Sequence, residues 1–521
     1  MGFSKLRSIL FDSKGLLALY LLGLFWWSRD LALLPGLHAD EAWVFLRTDF
    51  SEGSGMNAYT SGLYGTSLNL FFGLFGKGIF QLRLFGLLLN FVALGFALAL
   101  LRRLYVEKEL LLAFSVLTLS SPAFGIFSRM AFELTALLPL FLWAGAFCIV
   151  SGWQQKTSRA LVQLLVGGFL FGLAAHTHLL ALSVVVSLFV ACLSVYRRAI
   201  FVRSLGFCLL GFVGGFLQRL LALFGSKESG AVVDVVVGQW GDVVFYQDLL
   251  ALPFVLGEVL DGTLLYLRTT GGIILPVLPV AALLLFLGFW LLWKNRQDIT
   301  FSRSDAVLVL TFLLLPLSMR CLAGNTSLRY FVFSAQLFPI ILLLVFRGAG
   351  AFRAGFPMRR ALFFGVGLCV MMQVATVETN YFMGHRETGG GHRLFSLGAV
   401  LRETSSHFVD TKSLYNELRQ AGVRKVSSNY FIAESLKALD WKNQSLEVSE
   451  QEMYRQPGGG KSEEEATTYY IYYNTPMPGW PAWEELNREE VIRLGHLTLQ
   501  RLPLPSSHFL VFAPVPEVSD E

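Results

Sequence analysis

The sequence predicts a mainly α protein, a polytopic transmembrane bundle of about eleven helices followed by a C-terminal soluble α/β domain. Three observations lead there. The 521-residue chain is 54% hydrophobic and 15% charged, where soluble domains carry about a quarter charged residues. Apolar runs that reach the roughly 17 to 25 residues needed to cross the hydrocarbon core recur from Gly15 to Thr376 and then stop. Basic residues gather at alternate junctions between those runs, as in a chain threaded with its positive loops in the cytoplasm.

Taken in order, the helices are expected to begin near Gly15, Leu82, Leu110, Leu134, Ala160, Leu179, Ser204, Gly272, Ala306, Tyr330 and Ala361. The first run, Gly15 to Leu34, is longer than a signal-peptide core and lacks a small-residue cleavage pattern, so it is read as a retained helix. The basic junctions are Lys5, Arg7 and Lys14; Arg102, Arg103 and Lys108; Lys156 and Arg159; Arg197, Arg198 and Arg203; Lys294, Arg296 and Arg303; and Arg347, Arg353, Arg359 and Arg360. The positive-inside rule puts these and the N-terminus in the cytoplasm, and an odd helix count puts the tail outside. Ala160 to Tyr196 is long for one span, so it is read as two short helices meeting outside at His176-Thr177-His178. The outer face then receives residues 37–81, 128–133, 176–178, 224–270 and 321–329.

Two domains follow: a transmembrane domain, 1–376, and an extracytoplasmic α/β domain, 377–521. In the tail, Thr411 caps a helix through Leu414, Tyr415 and Leu418 that Gly422 ends, and Val423 to Ser428 reads as a strand. A second helix runs through Ile432 and Leu436, Thr467 to Tyr473 is a β-branched and aromatic strand, Trp483 to Val491 reads as helical, and Phe509 to Phe512 closes the sheet. Gly458-Gly459-Gly460-Lys461-Ser462 resembles a phosphate loop, but Arg455 stands where that pattern needs its first glycine. It is read as a turn.

The net charge of +5 is scattered between apolar runs and forms no basic stripe, which excludes nucleic acid as a partner. The five cysteines all lie within or beside apolar segments, so neither a disulfide framework nor a zinc site is implied.

The chemistry concentrates on the outer face. His38-Ala39-Asp40-Glu41-Ala42-Trp43 follows the first helix directly, at head-group depth. One reading makes Asp40 and Glu41 an ordinary acidic first turn of a short interfacial helix. The other makes them catalytic, because a carboxylate can take the proton from a hydroxyl as it attacks an anomeric carbon. A phosphate leaving group would then need cationic donors, for which arginine is suited. Arg129, with Glu133 nearby, and Arg329-Tyr330 are outer-face candidates, although arginine and tyrosine also anchor helix ends. His176 and His178, two residues apart, cannot share one helical face for a metal and are read as lining a substrate cavity. Tyr59, Tyr64, Trp43 and Trp240 are candidates to line a sugar or prenyl path.

The ordered set resembles the GT-C superfamily of membrane glycosyltransferases, in the branch holding protein O-mannosyltransferases and the lipid A aminoarabinose transferases. Its parts are Asp40-Glu41, the stretch from Tyr59 to Asn69, Leu82-Arg83-Leu84, Ser121-Pro122 with Arg129 and Glu133, Gly172-Leu173 with Thr177-His178, and Arg329-Tyr330 with Pro339. The resemblance implies a GT-C-type bundle and a donor that is a polyprenyl-phosphate sugar, such as one on undecaprenyl phosphate. It implies an acceptor that is a lipid, a glycan or a protein, and inverting transfer of a hexose or pentose. Asp40 becomes the candidate base, Glu41 its partner or an acceptor-positioning group, and Arg129 and Arg329 candidate phosphate ligands; His38, Tyr59, Tyr64, Glu133, His176, His178 and Tyr330 join them as substrate-binding candidates. No obligatory cofactor is expected; a divalent metal is compatible with the acidic pair but not favoured. The expected location is a bacterial inner membrane. A transporter or lipid flippase is the competing class, but those place ionisable groups at mid-membrane and show internal repeats, which this sequence does not.

Overall fold

The computed structural model describes residues 13–32, 37, 39–47, 62–155, 158–196, 201–225, 286–293, 301–323, 332–350, 352, 359–378 and 382, and in the tail 392–394, 407–409, 411–428, 430–450, 468–473, 491–494, 497–502 and 509–515. The chain divides into two compact units: 1–31 with 50–381, and 32–49 with 382–521.

The first unit is helical. Its helices are α1 (Ser13–Ser28), α3 (Leu63–Phe75), α4 (Ile79–Leu104), α5 (Lys108–Ser120), α6 (Pro122–Arg129), α7 (Leu137–Trp153), α8 (Ser158–Thr177), α9 (Ala181–Val195), α10 (Phe201–Gly225), α11 (Arg303–Ala323), α12 (Val332–Gly348) and α13 (Arg359–Thr376). The second unit holds α2 (Ala39–Leu46) and the tail. Among the described residues α4, α8 and Ser204–Leu221 of α10 are each long and apolar enough to cross a membrane. Helices α5 and α6 meet the same test as one span bent by 57°. The bend has a local cause: Pro122 lacks the N–H that would continue α5, and the Ser121 hydroxyl accepts from the Phe124 amide to start α6. With the shorter apolar helices α1, α7, α9 and the greater part of α12 and α13, this is a multi-pass membrane architecture.

Helices start within a turn of the expected positions near Gly15, Leu82, Leu110, Leu134, Ala160, Leu179, Ser204, Ala306, Tyr330 and Ala361; the start near Gly272 lies outside the described residues. One element was not expected. The segment 37–81 reads as a loop because its apolar run is too short to span, yet α3 forms there. It buries Tyr64, Leu68 and Phe72 at helical spacing and leaves Leu70, Leu74 and Phe75 exposed, the two-faced pattern of a helix lying along an interface.

Lipid gives apolar helices little hydrophobic reason to associate, so close packing and buried hydrogen bonds must hold them. Both are present. A Cβ built on Gly168 or Gly172 of α8 would stand 2.0 Å from the Cys208 carbonyl or 2.2 Å from that of Phe212. One on Gly211 or Gly215 of α10 would stand 2.1 Å from the Leu165 carbonyl or 2.2 Å from that of Phe169. The two helices therefore run side by side in parallel, backbone on backbone. Elsewhere Ser183 and Ser187 of α9 bond to Ser318 of α11, Trp143 Nε1 donates to Gln336, and Ser120 donates to Gln373.

A charged cluster ties the ends of four helices where the basic junctions lie. Arg347 donates to Asp305 at 2.8 Å and to Glu107 at 3.0 Å, the Tyr105 hydroxyl donates to Asp305 at 2.8 Å, and the Ser302 amide donates to the same carboxylate. At these junctions, which the sequence marks only by their basic residues, acids and bases together form a structural clasp.

The second unit builds a six-stranded sheet from β3 (Lys425–Ser428), β4 (Glu447–Glu450), β5 (Tyr469–Tyr473), β6 (Val491–Leu494), β7 (Leu497–Leu502) and β8 (Phe509–Pro514), in the order β4-β3-β5-β8-β7-β6. Strand β3 runs parallel to β4 and β5, and the other pairs are antiparallel. Before it come the short pair β1 (His392–Leu394) and β2 (His407–Val409). Helices α14 (Thr411–Gln420) and α15 (Tyr430–Asp440) pack Leu414, Leu418, Ile432 and Leu436 onto Val426, Ile471 and Val511. Gly422, at φ +72°, makes the left-handed turn that ends α14. Val491 opens β6 instead of ending a helix, because Ile492 pairs with Leu499 across an antiparallel hairpin; residues 483–490 lie outside the described residues.

Asp305 is fully buried, so Arg347→Ala strands its charge. Removing one partner of such a pair costs roughly 3 kcal/mol. The expected outcome is a lower thermal unfolding midpoint in detergent, with Arg347→Lys intermediate.

Candidate active site

The acidic pair occupies the first turn of α2, where backbone N–H groups favour negative charge. The two side chains differ. Asp40 is half-buried and Glu41 is fully buried, so Asp40 has the more accessible carboxylate. Both acidic-first-turn geometry and proton-accepting chemistry are compatible with this placement.

In the helical unit, two buried arginines close the end of α1. Arg129 donates to the Trp27 carbonyl at 3.1 Å and Arg83 to the Leu31 carbonyl at 3.2 Å. Cations at a helix C-terminus satisfy carbonyls that have no helical partner and complement the helix dipole. Trp27 is wedged over Gly125, where a Cβ would stand 2.0 Å from its ring, and its Nε1 donates to the Leu119 carbonyl.

Glu133 sits in the turn between α6 and α7. That turn is held to α4 by Asn90, which donates to the Thr135 carbonyl at 2.6 Å, and by close contact of Gly86 with Ala131. Burial pushes the Glu133 carboxyl up to about 7, against a smaller opposing hydrogen bond from its own backbone.

The third group is cationic and imidazole-rich. His176 is in the last turn of α8 and His178 follows it, accepting the Leu180 amide at Nδ1. Both are buried, and the guanidinium of Arg219 on α10 is near enough for its charge to act on each. Register explains the meeting. His176 lies one turn beyond Gly172 and Arg219 one turn beyond Gly215, so the glycine contacts bring their helix faces together. Among the described residues His176 Nδ1 has no hydrogen-bond partner. Arg219 escapes a reading that looks for chemistry in loops, because it is embedded in an apolar run; the signal that finds it is the matched Gly-x-x-x-Gly spacing on both helices.

Tyr64 is buried with its ring 5.7 Å from that of Phe85. His38, Tyr59, Trp240, Arg329 and Tyr330 lie outside the described residues. Among the described residues no three His, Cys, Asp or Glu side chains gather as a metal ion would need. A cavity of about 310 Å³ among α7, α8, α9 and α10 is lined by apolar side chains such as Trp153, Phe171, Phe189 and Phe212; it offers room for hydrocarbon, not acid–base chemistry.

No protein-family model and no curated protein matches the chain. Solved structures do. ArnT from Cupriavidus metallidurans bound to undecaprenyl phosphate is 12% identical, with 97% of this chain and 99% of that chain covered at a TM-score of 0.53. The same protein in the apo state is 13% identical, with 98% of each chain covered and a TM-score of 0.52. The archaeal oligosaccharyltransferase AglB from Archaeoglobus fulgidus, solved with an inhibitory peptide and a dolichol-phosphate, is 10% identical over 88% of this chain and 69% of that one, at a TM-score of 0.46. The end-to-end likeness to ArnT shows the fold alone: a helical membrane architecture with a C-terminal α/β part.

Glu133 gives a pH signature. Its folded-state value, about 7, lies above that of a carboxyl in an unfolded chain, about 4.3. Folding therefore takes up a proton between those values, and the group's contribution to stability falls as pH rises through that window. The unfolding midpoint is expected to drop between pH 5 and 7, and Glu133→Gln is expected to flatten that slope.

Proposed function

We propose that the protein is a membrane glycosyltransferase that moves a hexose or pentose from a polyprenyl-phosphate carrier to a lipid, glycan or protein acceptor at the outer face of a bacterial inner membrane. What carries the reading is the fold shared from end to end with ArnT, a protein solved with undecaprenyl phosphate bound, in a chain whose acidic pair follows its first span. The helix total of about eleven, the cytoplasmic N-terminus and the external tail belong to the same proposal.

In this mechanism Asp40 takes the proton of the acceptor hydroxyl as its oxygen attacks the anomeric carbon. The bond from that carbon to the phosphate oxygen breaks, configuration inverts, and the polyprenyl phosphate leaves with the bonding electron pair. Glu41, fully buried next to Asp40 in sequence, is proposed as its partner or as an acceptor-positioning group. The leaving phosphate gains negative charge and needs donors already in place. Arg219, His176 and His178 are the set proposed for it, since Arg219 supplies a fixed charge and His176 a buried ring nitrogen open to a ligand. Arg129 and Arg329 are retained as further phosphate ligands, Tyr64, Tyr59, His38, Glu133 and Tyr330 as substrate-binding residues, and no metal is required.

Asp40→Asn keeps the shape and removes the base. Purified protein in lipid nanodiscs with a radiolabelled polyprenyl-phosphate sugar is expected to lose transfer about 100-fold or more without losing folding; undiminished transfer would remove Asp40 from the role. Arg219→Gln is expected to raise the donor KM about tenfold, the loss of one charge-assisted contact.

A further inference from the structure

The helix bearing the acidic pair packs on the soluble tail. Its opening carbonyl, Leu37 O, accepts from the Ser435 hydroxyl at 3.3 Å. Phe45, one turn beyond the pair, meets Trp441 edge-on with ring centroids 5.4 Å apart. At its end Arg47 reaches Glu434 at 3.7 Å, and Lys437 holds the other Glu434 oxygen at 3.0 Å. Helix α15 is therefore buried on two sides. Ile432 and Leu436 face the sheet, while Glu434, Ser435 and Trp441 meet the segment from Leu37 to Arg47. A short helix of eight residues is marginal alone, so its position is set by what it rests on.

We infer that α15 is the seat that orients the acidic pair, with Trp441 and Glu434 as positioning residues for sugar transfer. The inference rests on the transferase reading. Neither residue supplies a proton or binds the leaving group. Trp441 fixes the rotation of α2 through Phe45, and buried Glu434 holds Arg47 at the far end, so the first turn presents Asp40 in one orientation. The soluble domain is in this respect part of the catalytic machinery, since it carries the base.

Positioning has a kinetic signature. A small displacement of a base lowers turnover by about 10- to 100-fold without weakening donor binding. Trp441→Ala in the full-length protein in nanodiscs is expected to lower kcat in that range and leave the donor KM unchanged; Trp441→Phe, which keeps an aromatic edge for Phe45, is expected to restore most of it. Glu434→Gln is expected to act in the same direction but less. Hydrogen–deuterium exchange provides a readout that does not depend on activity: exchange in 39–46 rises in Trp441→Ala while the sheet around β3, β5 and β8 stays protected. Unchanged exchange in 39–46, or loosened exchange with undiminished kcat, overturns the inference. Active Asp40→Asn instead overturns the transferase assignment of the pair, while the exchange experiment still reports whether α15 seats α2.

Discussion

Backbone contact between α8 and α10 fixes the arrangement on which the polar site of the helical unit depends. With hydrogen in place of a side chain at Gly168, Gly172, Gly211 and Gly215, each helix presses on carbonyls of the other, and contact at that range admits little sliding or rotation. The register then continues beyond the glycines. One turn further, the same two faces carry His176 and Arg219 in place of small residues. A methyl group at any of the four positions would force the helices apart and carry the histidine and arginine with them. The apolar packing and the polar site are consequences of one contact.

The helical unit uses charge in three ways. Where Arg347, Asp305, Glu107 and Tyr105 meet, opposite charges answer each other through short hydrogen bonds, and the cluster binds helix ends without any need for a ligand. Arg83 and Arg129 instead spend donors on carbonyls at the end of α1. The group around Arg219 differs from both, because it brings a cation near two buried histidines. Ionisable groups are costly in an apolar environment, and this is the group proposed to receive the leaving phosphate.

The amount legible in the sequence follows from which periodicity each element obeys. Long apolar runs announce themselves, so the helix starts from Gly15 to Ala361 fall close to those observed. So do α14 and α15, and the β-branched and aromatic strands β5 and β8. Helix α3 was hidden because hydropathy is read against the thickness of a membrane and α3 lies short of it. Strand β4 and the hairpin of β6 and β7 were hidden because pairing across the sheet, not local preference, makes them strands. In the candidate site, Asp40 and Glu41 were legible from their place after the first span. Arg219 was not, since its partners are set by a neighbouring helix; nor was the difference between half-buried Asp40 and fully buried Glu41, which depends on residues far away in the chain.

That distance has a consequence for assembly. The contact between Leu37 and Ser435 joins residues 398 apart in sequence, so the second unit is made from a short early segment and a late one, with the residues of the helical unit between them in sequence. The closing cost grows only as the logarithm of the loop length, which leaves such a contact thermodynamically accessible once the spans have packed. Its timing is another matter. Residues 39–46 cannot rest on α15 until the chain beyond Asp440 has been synthesised and β3, β5 and β8 have made the sheet against which Ile432 and Leu436 pack. The placement of the acidic pair therefore depends on late residues of the chain, and destabilisation of the small sheet passes through α15 to α2.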